Sequence, residues 1–436
     1  MALVAESELE QRTMGKITRR IVPFLMFCYF IAYLDRVNVG FAGATMSKDL
    51  NFTAEVFGGA AGIFFIAYFF FEVPSNLALN KFGARLWIAR IMFTWGLVSG
   101  AQAFVTGGLS FNIVRVLLGV AEAGFFPGII FFLTLWFPSA YRARIVGIFM
   151  VAIPVSTVIG SPISGFILDL EGTAGLHGWQ WMYIIEAVPA LIMAFVVYFY
   201  LTNRPSDAKW LEADEREWIQ KRLDSERANR ESIVRLSLFQ SILIPRVLLL
   251  GCVYMALNIP QYGLSFFLPQ IVKAFGVTNV EAGFITAVPY VVGAIGMILW
   301  GRHSDKSGDR VWHVVISFAA MVVGLGLAAA ISDPTTKMVV LCIAAWGFFS
   351  ILPVFWTLPT AFLSGIGAAA GIASVNSVGN LGGYFGPKVF GYLKTSTGGD
   401  TASLIFLACS AVVGIVLVLS LGHNRALEKS STQAAE

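Results

Sequence analysis

Two short stretches of the chain resemble each other, NLALNKFGAR at residues 76–85 and GRHSDKSGDR at residues 301–310. Three identical residues within them stand at a constant offset of 225: Lys81 and Lys306, Gly83 and Gly308, and Arg85 and Arg310. The same offset relates Ser161-Pro162 to Gly386-Pro387. Because unrelated stretches agree on one offset, we predict that the chain consists of two related halves.

The composition is that of a membrane protein. Of the 436 residues, 57% are hydrophobic and 13% are charged, whereas about a quarter of the residues in a soluble domain are charged. Apolar runs of roughly 20 residues recur, each long enough to cross a hydrocarbon core of about 30 Å as a helix. The runs do not alternate with polar residues as barrel strands do. We therefore predict an all-α integral membrane protein with twelve spans, at residues 21–43, 57–79, 86–105, 110–136, 145–169, 181–202, 246–272, 281–300, 312–331, 338–362, 370–394 and 402–421.

The spans divide the chain into five parts: a tail (1–20), a six-helix bundle (21–202), a linker (203–245), a second six-helix bundle (246–421) and a second tail (422–436). The linker mixes many charges with apolar residues near helical spacing, which predicts an amphipathic helix on the membrane surface or on the loops. Lys and Arg concentrate on the side of the two tails, so the positive-inside rule places both termini in the cytoplasm. The net charge of +4 then reflects membrane topology, and no nucleic-acid partner is expected.

The stretch Gly301-x-x-x-Asp305-Lys306-x-Gly308-x-Arg310 resembles the loop signature of the major facilitator superfamily of membrane transporters. The two groups of six spans and the Gly/Ser-Pro pairs match this superfamily as well. The first copy of the signature departs from it, with Asn76 in place of Gly and Asn80 in place of Asp. The resemblance implies two pseudo-symmetric six-helix bundles that rock about a central site.

Three further stretches resemble one group within that superfamily, the anion:cation symporters. They are YLDRVNVGFA (33–42), EVPSNL (72–77) and RVLLGVAEAGFFPG (115–128). The group includes bacterial importers of galactonate, tartrate, phthalate and hydroxyphenylacetate. The resemblance implies a monomeric protein of the bacterial inner membrane, in contact with the lipid bilayer, that imports a small organic anion with protons.

Charged residues interrupt several apolar spans, and four of them are the strongest candidates for a site: Asp35, Arg36, Arg115 and Glu122. A charge at the bilayer centre costs roughly 2.5 to 3.5 kcal/mol even on lenient scales, so such residues face a cavity or a partner. Arg suits a carboxylate ligand because its guanidinium offers paired donors and stays protonated. The resemblance assigns Arg36 and Arg115 to the substrate carboxylate, and Asp35 and Glu122 to proton coupling. The alternative is a set of buried ion pairs that only fixes helix packing.

Polar residues elsewhere in the spans are weaker candidates. Amides and phenols could contact substrate hydroxyls, but they could also form interhelical hydrogen bonds or lie at the lipid interface: Tyr33, Tyr68, Asn258, Gln261, Tyr262, Asn376 and Asn380. A second set is expected to act in gating: Glu72, Lys81, Arg85, Asp305, Lys306 and Arg310. Glu186 lies near the outer end of the sixth span, close to the span's first residue, and we expect it to be hydrated there.

The sequence favours a proton-coupled secondary transporter over an enzyme, because it contains no H-E-x-x-H, P-loop or nucleophile elbow. The four cysteines lie in four different spans, without the spacing of a metal site or disulfide, so no metal and no cofactor is expected. Two alternatives stay open. One is proton-driven export of amphipathic compounds, and the other is a receptor that binds without translocating. Which carboxylate is carried does not follow from the residues.

Overall fold

A computed structural model describes residues 2–231, 244–362 and 368–422. Its long elements are all helices, which we number in chain order: α1 Ala2–Asp49, α2 Ala54–Phe82, α3 Ala84–Ala101, α4 Gly108–Glu122, α5 Phe125–Thr134, α6 Ser139–Met150, α7 Ala152–Leu168, α8 Gly178–Tyr200, α9 Ala213–Glu231, α10 Pro245–Lys273, α11 Asn279–Ser307, α12 Val311–Ala330, α13 Pro334–Phe355, α14 Thr357–Phe362, α15 Ala368–Asn380, α16 Gly382–Thr397 and α17 Thr401–Ser420. Short 3-10 helices cover Gln102–Phe104, Thr173–Gly175 and Pro205–Asp207.

Ten segments of the described residues are long and apolar enough to cross a membrane: Glu8–Asp49, Ala54–Phe82, Gly108–Thr134, Ser139–Leu168, Gly178–Tyr200, Pro245–Lys273, Asn279–Ser307, Val311–Ala330, Pro334–Pro359 and Thr401–Ser420. The other two predicted spans, 86–105 and 370–394, coincide with α3 and with the pair α15 and α16. The predicted all-α membrane fold is confirmed.

Four predicted spans are each divided between two helices: 110–136, 145–169, 338–362 and 370–394. The sequence predicts a continuous span over 110–136, whereas α4 ends at Glu122 and α5 begins at Phe125. Gly124 between them has φ +85°, in the left-handed region that favours glycine, and a Cβ there would lie 2.4 Å from Oγ of Ser75. Pro127 falls in the first turn of α5, where its missing N–H costs no helical hydrogen bond. The break places Glu122 at a helix end.

The internal duplication is visible in the helices. Helices α2 and α11 each have 29 residues, and their first residues are 225 positions apart. Gly83 ends α2 with φ +87° and donates its N–H to the Leu79 carbonyl. Gly308 ends α11 with φ +67° and donates its N–H to the Ser304 carbonyl. The repeated glycines therefore stop equivalent helices, both with a positive φ, although ψ is 148° at Gly83 and 11° at Gly308.

The two halves touch where α2 and α11 begin. We call this the far end, and the end that carries α9 the tail end. A Cβ on Gly58 of α2 would lie 2.2 Å from the Pro387 carbonyl of α16. A Cβ on Gly283 of α11 would lie 2.5 Å from the Ser161 carbonyl of α7. The two glycines are 225 positions apart and the residues they contact are 226 apart, so small residues bring the halves together in a nearly symmetric way.

The linker helix α9 packs on the tail end of α1. The side chain of Glu215 is fully buried, with Oε1 2.8 Å from Nζ of Lys16 and 3.0 Å from Nε of Arg12. Its Oε2 accepts the backbone N–H of Glu212 at 2.9 Å. Burial raises the pKa of the Glu215 carboxyl, but these three donors lower it further, so the net pKa lies below its usual value. An ion pair thus fixes the linker to the first half.

A leucine at Gly58 is expected to separate the halves at the far end, because the added side chain would overlap the Pro387 carbonyl. Spin labels at residues 51 and 401, in a chain whose four cysteines are replaced by alanine, would report longer distances in the Gly58→Leu variant. Gly59→Leu is the matched control, since a Cβ there meets only the Lys388 side chain at 3.5 Å. Equal distances in both variants would contradict the contact.

Docking of α9 is expected to weaken in acid. The carboxyl of Glu215 has a lowered pKa when α9 is docked. Its contribution to the free energy of docking is therefore complete above the pKa of the undocked carboxyl. The contribution is lost as the pH falls through the lowered pKa. Amide hydrogen exchange of residues 213–231 should speed up as the pH falls, after correction for the intrinsic pH dependence of exchange. Glu215→Gln should remove most of this extra pH dependence, whereas Glu217→Gln, at an exposed position, should preserve it. An unchanged profile in Glu215→Gln would argue against the ion pair.

Candidate functional site

A cavity with about 550 Å³ of empty volume lies between the two halves. Eight residues that the sequence singled out line it: Tyr33, Arg36, Tyr68, Asn258, Gln261, Tyr262, Asn376 and Asn380. The sequence reasoning missed Tyr29 and Tyr254, which also line it. Each stands four residues before a candidate on the same helix, Tyr33 and Asn258, and the helical period puts such residues on one face. The four-residue spacing could therefore have identified Tyr29 and Tyr254 from the sequence.

Arg36 is the cation in the lining of this cavity, and its Nη2 donates to Oε1 of Glu122. The side chain of Arg36 is 10% exposed and that of Glu122 is 2% exposed. The guanidinium also lies 5.5 Å from the ring centre of Phe64 and 5.7 Å from that of Tyr68. Within the described part of the chain, Nε of Arg36 has no hydrogen-bond partner. The pair joins α1 to the end of α4. The unpartnered Nε of Arg36 leaves room for one more hydrogen-bond acceptor at this site.

The structure places Arg115 differently from the expected cavity arginine. Its side chain is fully buried, with Nη2 donating to the Ala61 carbonyl at 2.8 Å and Nε to the Ala60 carbonyl at 3.3 Å. Its guanidinium lies 5.1 Å from the ring centre of Phe64. The residue does not line the cavity and instead attaches α4 to α2. Spacing along a helix could not show this, because the carbonyls belong to a neighbouring helix.

Asp35 points away from the cavity, as its rotation of about 100° from Arg36 on a helix allows. Its carboxylate accepts Nε1 of Trp95 at 2.6 Å and Oγ of Ser99 at 3.3 Å, both on α3. It also accepts Nδ2 of Asn38 at 3.4 Å. Among the described residues, no charged side-chain nitrogen of Lys, Arg or His lies within 4 Å of its carboxylate oxygens. Asp35 is therefore a buried carboxyl that neutral donors hold.

Glu186 is not the hydrated residue that we expected near the end of its span. It is 2% exposed, and its Oε1 accepts Oγ of Ser164 at 2.6 Å. The side-chain amide of Asn38 interacts with it as well. Asn38 thus lies between two buried carboxyl groups, those of Asp35 and Glu186. The sequence reasoning missed this arrangement because it requires α1, α7 and α8 to pack together.

Polar contacts join the two halves on the tail-end side of the cavity. Glu72 of α2 accepts Nδ2 of Asn376 at 3.0 Å and Oγ of Ser377 at 3.2 Å, both on α15. In the cavity itself, Nε2 of Gln261 lies 3.5 Å from the Tyr33 hydroxyl. Hydrogen bonds of this kind can exchange for water when helices move apart. The tail-end contact is thus more readily reversible than the glycine contact at the far end.

The two copies of the repeated loop lie at the tail end, away from the cavity. In the second copy, Nη1 of Arg310 pairs with Oδ1 of Asp305 at 2.7 Å, and Lys306 is exposed. In the first copy, the guanidinium of Arg85 lies 5.1 Å from the ring centre of Tyr198, and Lys81 lies 5.6 Å from that of Phe82. The first copy, in which Asn80 replaces the Asp of the signature, thus holds its basic residues against aromatic rings, whereas the second copy holds Arg310 in an ion pair.

The family description of the Major Facilitator Superfamily matches residues 25–387 and 261–436. The chain is 51% identical over 421 residues to a protein of Agrobacterium vitis named as a tartrate transporter, and the match covers 97% of this chain and 94% of the relative. It is 39% identical over 427 residues to a quinolone resistance transporter of Acinetobacter baumannii, with 98% of each chain covered.

Among solved structures, a bacterial homolog of the human lysosomal transporter Spinster, inward-facing and unoccupied, superposes with a TM-score of 0.69 at 17% identity. The match covers 96% of this chain and 97% of that one. At this identity the likeness shows the shared fold. Together with the family match over most of the chain, it identifies this protein as a member of the Major Facilitator Superfamily, a family of multi-pass membrane transporters and not of enzymes.

Proposed function

We propose that this protein imports a small organic carboxylate together with protons by alternating access. The observation that carries the proposal is Arg36, a cation paired with a carboxylate in the wall of a cavity between the two halves. A guanidinium binds carboxylates through two parallel N–H donors, and it stays charged when it is partly desolvated. The relative named as a tartrate transporter supports a hydroxy acid as the substrate, and sugar acids and aromatic acids are the other members of the proposed class.

Proton coupling follows from competition for Arg36. A substrate carboxylate that binds Arg36 displaces Glu122, which is then a buried carboxylate without its cation. An unpaired buried charge is costly, so Glu122 takes up a proton. The neutral carboxyl and the bound substrate then cross the membrane in the same conformational change. When the substrate leaves on the other side, Glu122 releases its proton and pairs with Arg36 again.

Asp35 is proposed as a second proton site. It is buried, and its described partners are neutral donors on Trp95, Ser99 and Asn38. A carboxyl in such surroundings gains from being neutral. Because Asp35 follows Leu34 and precedes Arg36 on α1, a shift of this helix on substrate binding would alter both its hydrogen bonds and the pair with Glu122.

The second half supplies the groups proposed to distinguish substrates. Asn258, Gln261 and Tyr262 of α10, with Asn376 and Asn380 of α15, line the cavity opposite Arg36. Amides and phenols can both donate to and accept from hydroxyl groups. Tyr33 and Tyr68 line the first-half side. A substrate whose carboxylate binds Arg36 would thus present its hydroxyls or its ring to these residues.

Gating is proposed to use the two ends of the molecule. The glycine contact closes the far end, and breaking the hydrogen bonds of Glu72 with α15 would open the tail end. The repeated loops would stabilise this arrangement through Asp305 and Arg310 in the second half and through Arg85 in the first. With the tail end cytoplasmic, as the distribution of Lys and Arg predicts, opening there releases substrate inside a bacterial cell.

Export is the second candidate, because a 39% identical relative is named as a quinolone resistance transporter. The direction is decided in proteoliposomes of known orientation by screening sugar acids, hydroxy diacids and aromatic carboxylates. Import predicts uptake that increases when the outer solution is acidic and stops with a protonophore. Loss of preloaded compound under the same gradient would indicate export, and binding without flux under either gradient would indicate a receptor.

Arg36→Lys is expected to weaken binding of the carboxylate identified in that screen by about tenfold to a hundredfold, because a bidentate contact is lost. Arg115→Lys should instead lower the melting temperature with little change in affinity, since its donors serve the Ala60 and Ala61 carbonyls. Arg90→Lys, a half-buried arginine of α3 outside the cavity, is the control. Calorimetry and thermal unfolding in detergent measure both effects. If Arg115→Lys lost affinity without losing stability, Arg115 would be a substrate ligand.

Glu122→Gln is expected to separate binding from coupling. The neutral side chain imitates the protonated carboxyl, so substrate should still bind and exchange across the membrane in counterflow. A pH gradient should no longer drive accumulation through this site. Equal accumulation by Glu122→Gln and the parent, with equal protein in the membrane, would show that Glu122 only packs against Arg36, and would leave Asp35 as the proton site.

A further inference from the structure

A second cavity lies at the tail end of the first half, outside the path between the halves. It has about 770 Å³ of empty volume and is lined by the end of α8, the start of α3 and the first linker residues. Three basic residues line it, Arg20, Arg85 and Lys209, with Asp207 as an acidic neighbour. Arg85 is also one of the proposed gating residues, but the proposed path of the substrate does not pass through this cavity.

Aromatic rings hold the two arginines in place. The guanidinium of Arg20 lies 4.6 Å from the ring centre of Tyr200 and 5.0 Å from that of Trp210. The guanidinium of Arg85 lies 5.1 Å from the ring centre of Tyr198. Such cation–π contacts restrain a guanidinium while its N–H groups stay available to an anion.

None of these three cations forms an ion pair with a described carboxylate. Within residues 2–231, 244–362 and 368–422, no carboxylate oxygen lies within 4 Å of the charged nitrogens of Arg20, Arg85 or Lys209. Asp207 lines the cavity but lies beyond that distance. Like charges gathered in one hollow repel one another. The cavity is therefore built for a ligand that carries negative charge.

The residues around the cavity indicate which class of negatively charged ligand fits it. Phe199 lines the cavity and is 79% exposed, and the nearby Leu86 of α3 is 47% exposed. Both lie at the ends of membrane-spanning helices, where the hydrocarbon meets the headgroups. Tyr200 and Trp210 have the amphipathic rings that are typical of this level of a bilayer. A ligand here would place its charge on the arginines and an apolar chain on Phe199.

We propose that this cavity binds the phosphate headgroup of an anionic phospholipid. Arg20 and Arg85 would contact the phosphate oxygens, Lys209 would add charge at the rim, and an acyl chain would lie along Phe199. Basic pockets between membrane helices on the cytoplasmic side suit such headgroups. The bound lipid would join α1, α3 and α8 to the first residues of the linker.

The test measures lipid retention by the full chain, so it does not depend on transport. Delipidated protein is titrated with phosphatidylglycerol, with phosphatidylcholine of the same acyl chains, with glycerol 1-phosphate and with inorganic phosphate, and native mass spectrometry and thermal unfolding report binding. We expect phosphatidylglycerol to bind and to raise the melting temperature more than phosphatidylcholine does. Equal effects of the two lipids would overturn the proposal. Equally tight binding of glycerol 1-phosphate or inorganic phosphate would make this a site for a soluble phosphate compound and would also overturn it.

Variants locate the site. Arg20→Gln with Lys209→Gln should weaken phosphatidylglycerol binding by at least about tenfold, since each cation near a headgroup contributes roughly fivefold. Arg144→Gln with Arg302→Gln, two exposed arginines outside the cavity, should not. If the variant with Arg20→Gln does not fold, Lys209→Gln alone still tests the site, because Lys209 is exposed and its replacement should not disturb the fold. Unchanged binding in folded Lys209→Gln and in the double variant would overturn the assignment.

Discussion

A guanidinium inside the hydrocarbon layer must have an anionic or carbonyl partner, and much of this structure follows from how two arginines meet that requirement. Arg36 pairs with Glu122 in the wall of the central cavity, whereas Arg115 donates to the carbonyls of Ala60 and Ala61. The first partner is a side chain that can be protonated and exchanged for a ligand, and the second is backbone that cannot. The same residue type therefore has an exchangeable partner in one place, where we propose substrate binding, and a fixed backbone partner in the other.

The contacts between the halves divide in a similar way. At the far end, Gly58 and Gly283 let backbones of opposite halves approach so closely that a Cβ would overlap a carbonyl. On the tail-end side, Glu72 reaches Asn376 and Ser377 through hydrogen bonds. Close backbone packing resists water, while side-chain hydrogen bonds can be replaced by it. This asymmetry in the contacts is the basis on which we propose that the tail end opens while the far end stays closed.

The central and peripheral cavities differ in how their cations are held. Arg36 has a carboxylate partner, Glu122, that a substrate would displace under the proposed mechanism, and the displaced carboxylate would then take up a proton. Arg20 and Arg85 pack against aromatic rings and have no carboxylate partner among the described residues, so an anion would bind there without displacing a charged group. The first arrangement suits a ligand that exchanges in each transport cycle, and the second suits a ligand that remains bound.

Much of the fold and part of the site could be predicted from the sequence alone. Composition and run length predict the membrane helices, the offset of 225 predicts the two halves, and helical spacing puts Tyr33, Asn258 and their neighbours toward one cavity. A period of 3.6 residues shows which face of a helix a residue is on, but not which neighbouring helix covers that face. Only the tertiary structure decided that Arg115 meets backbone carbonyls, that Glu186 is buried beside Asn38, and that the fourth span breaks at Gly124. These outcomes depend on atoms of other helices, whose approach is fixed by packing and not by local spacing.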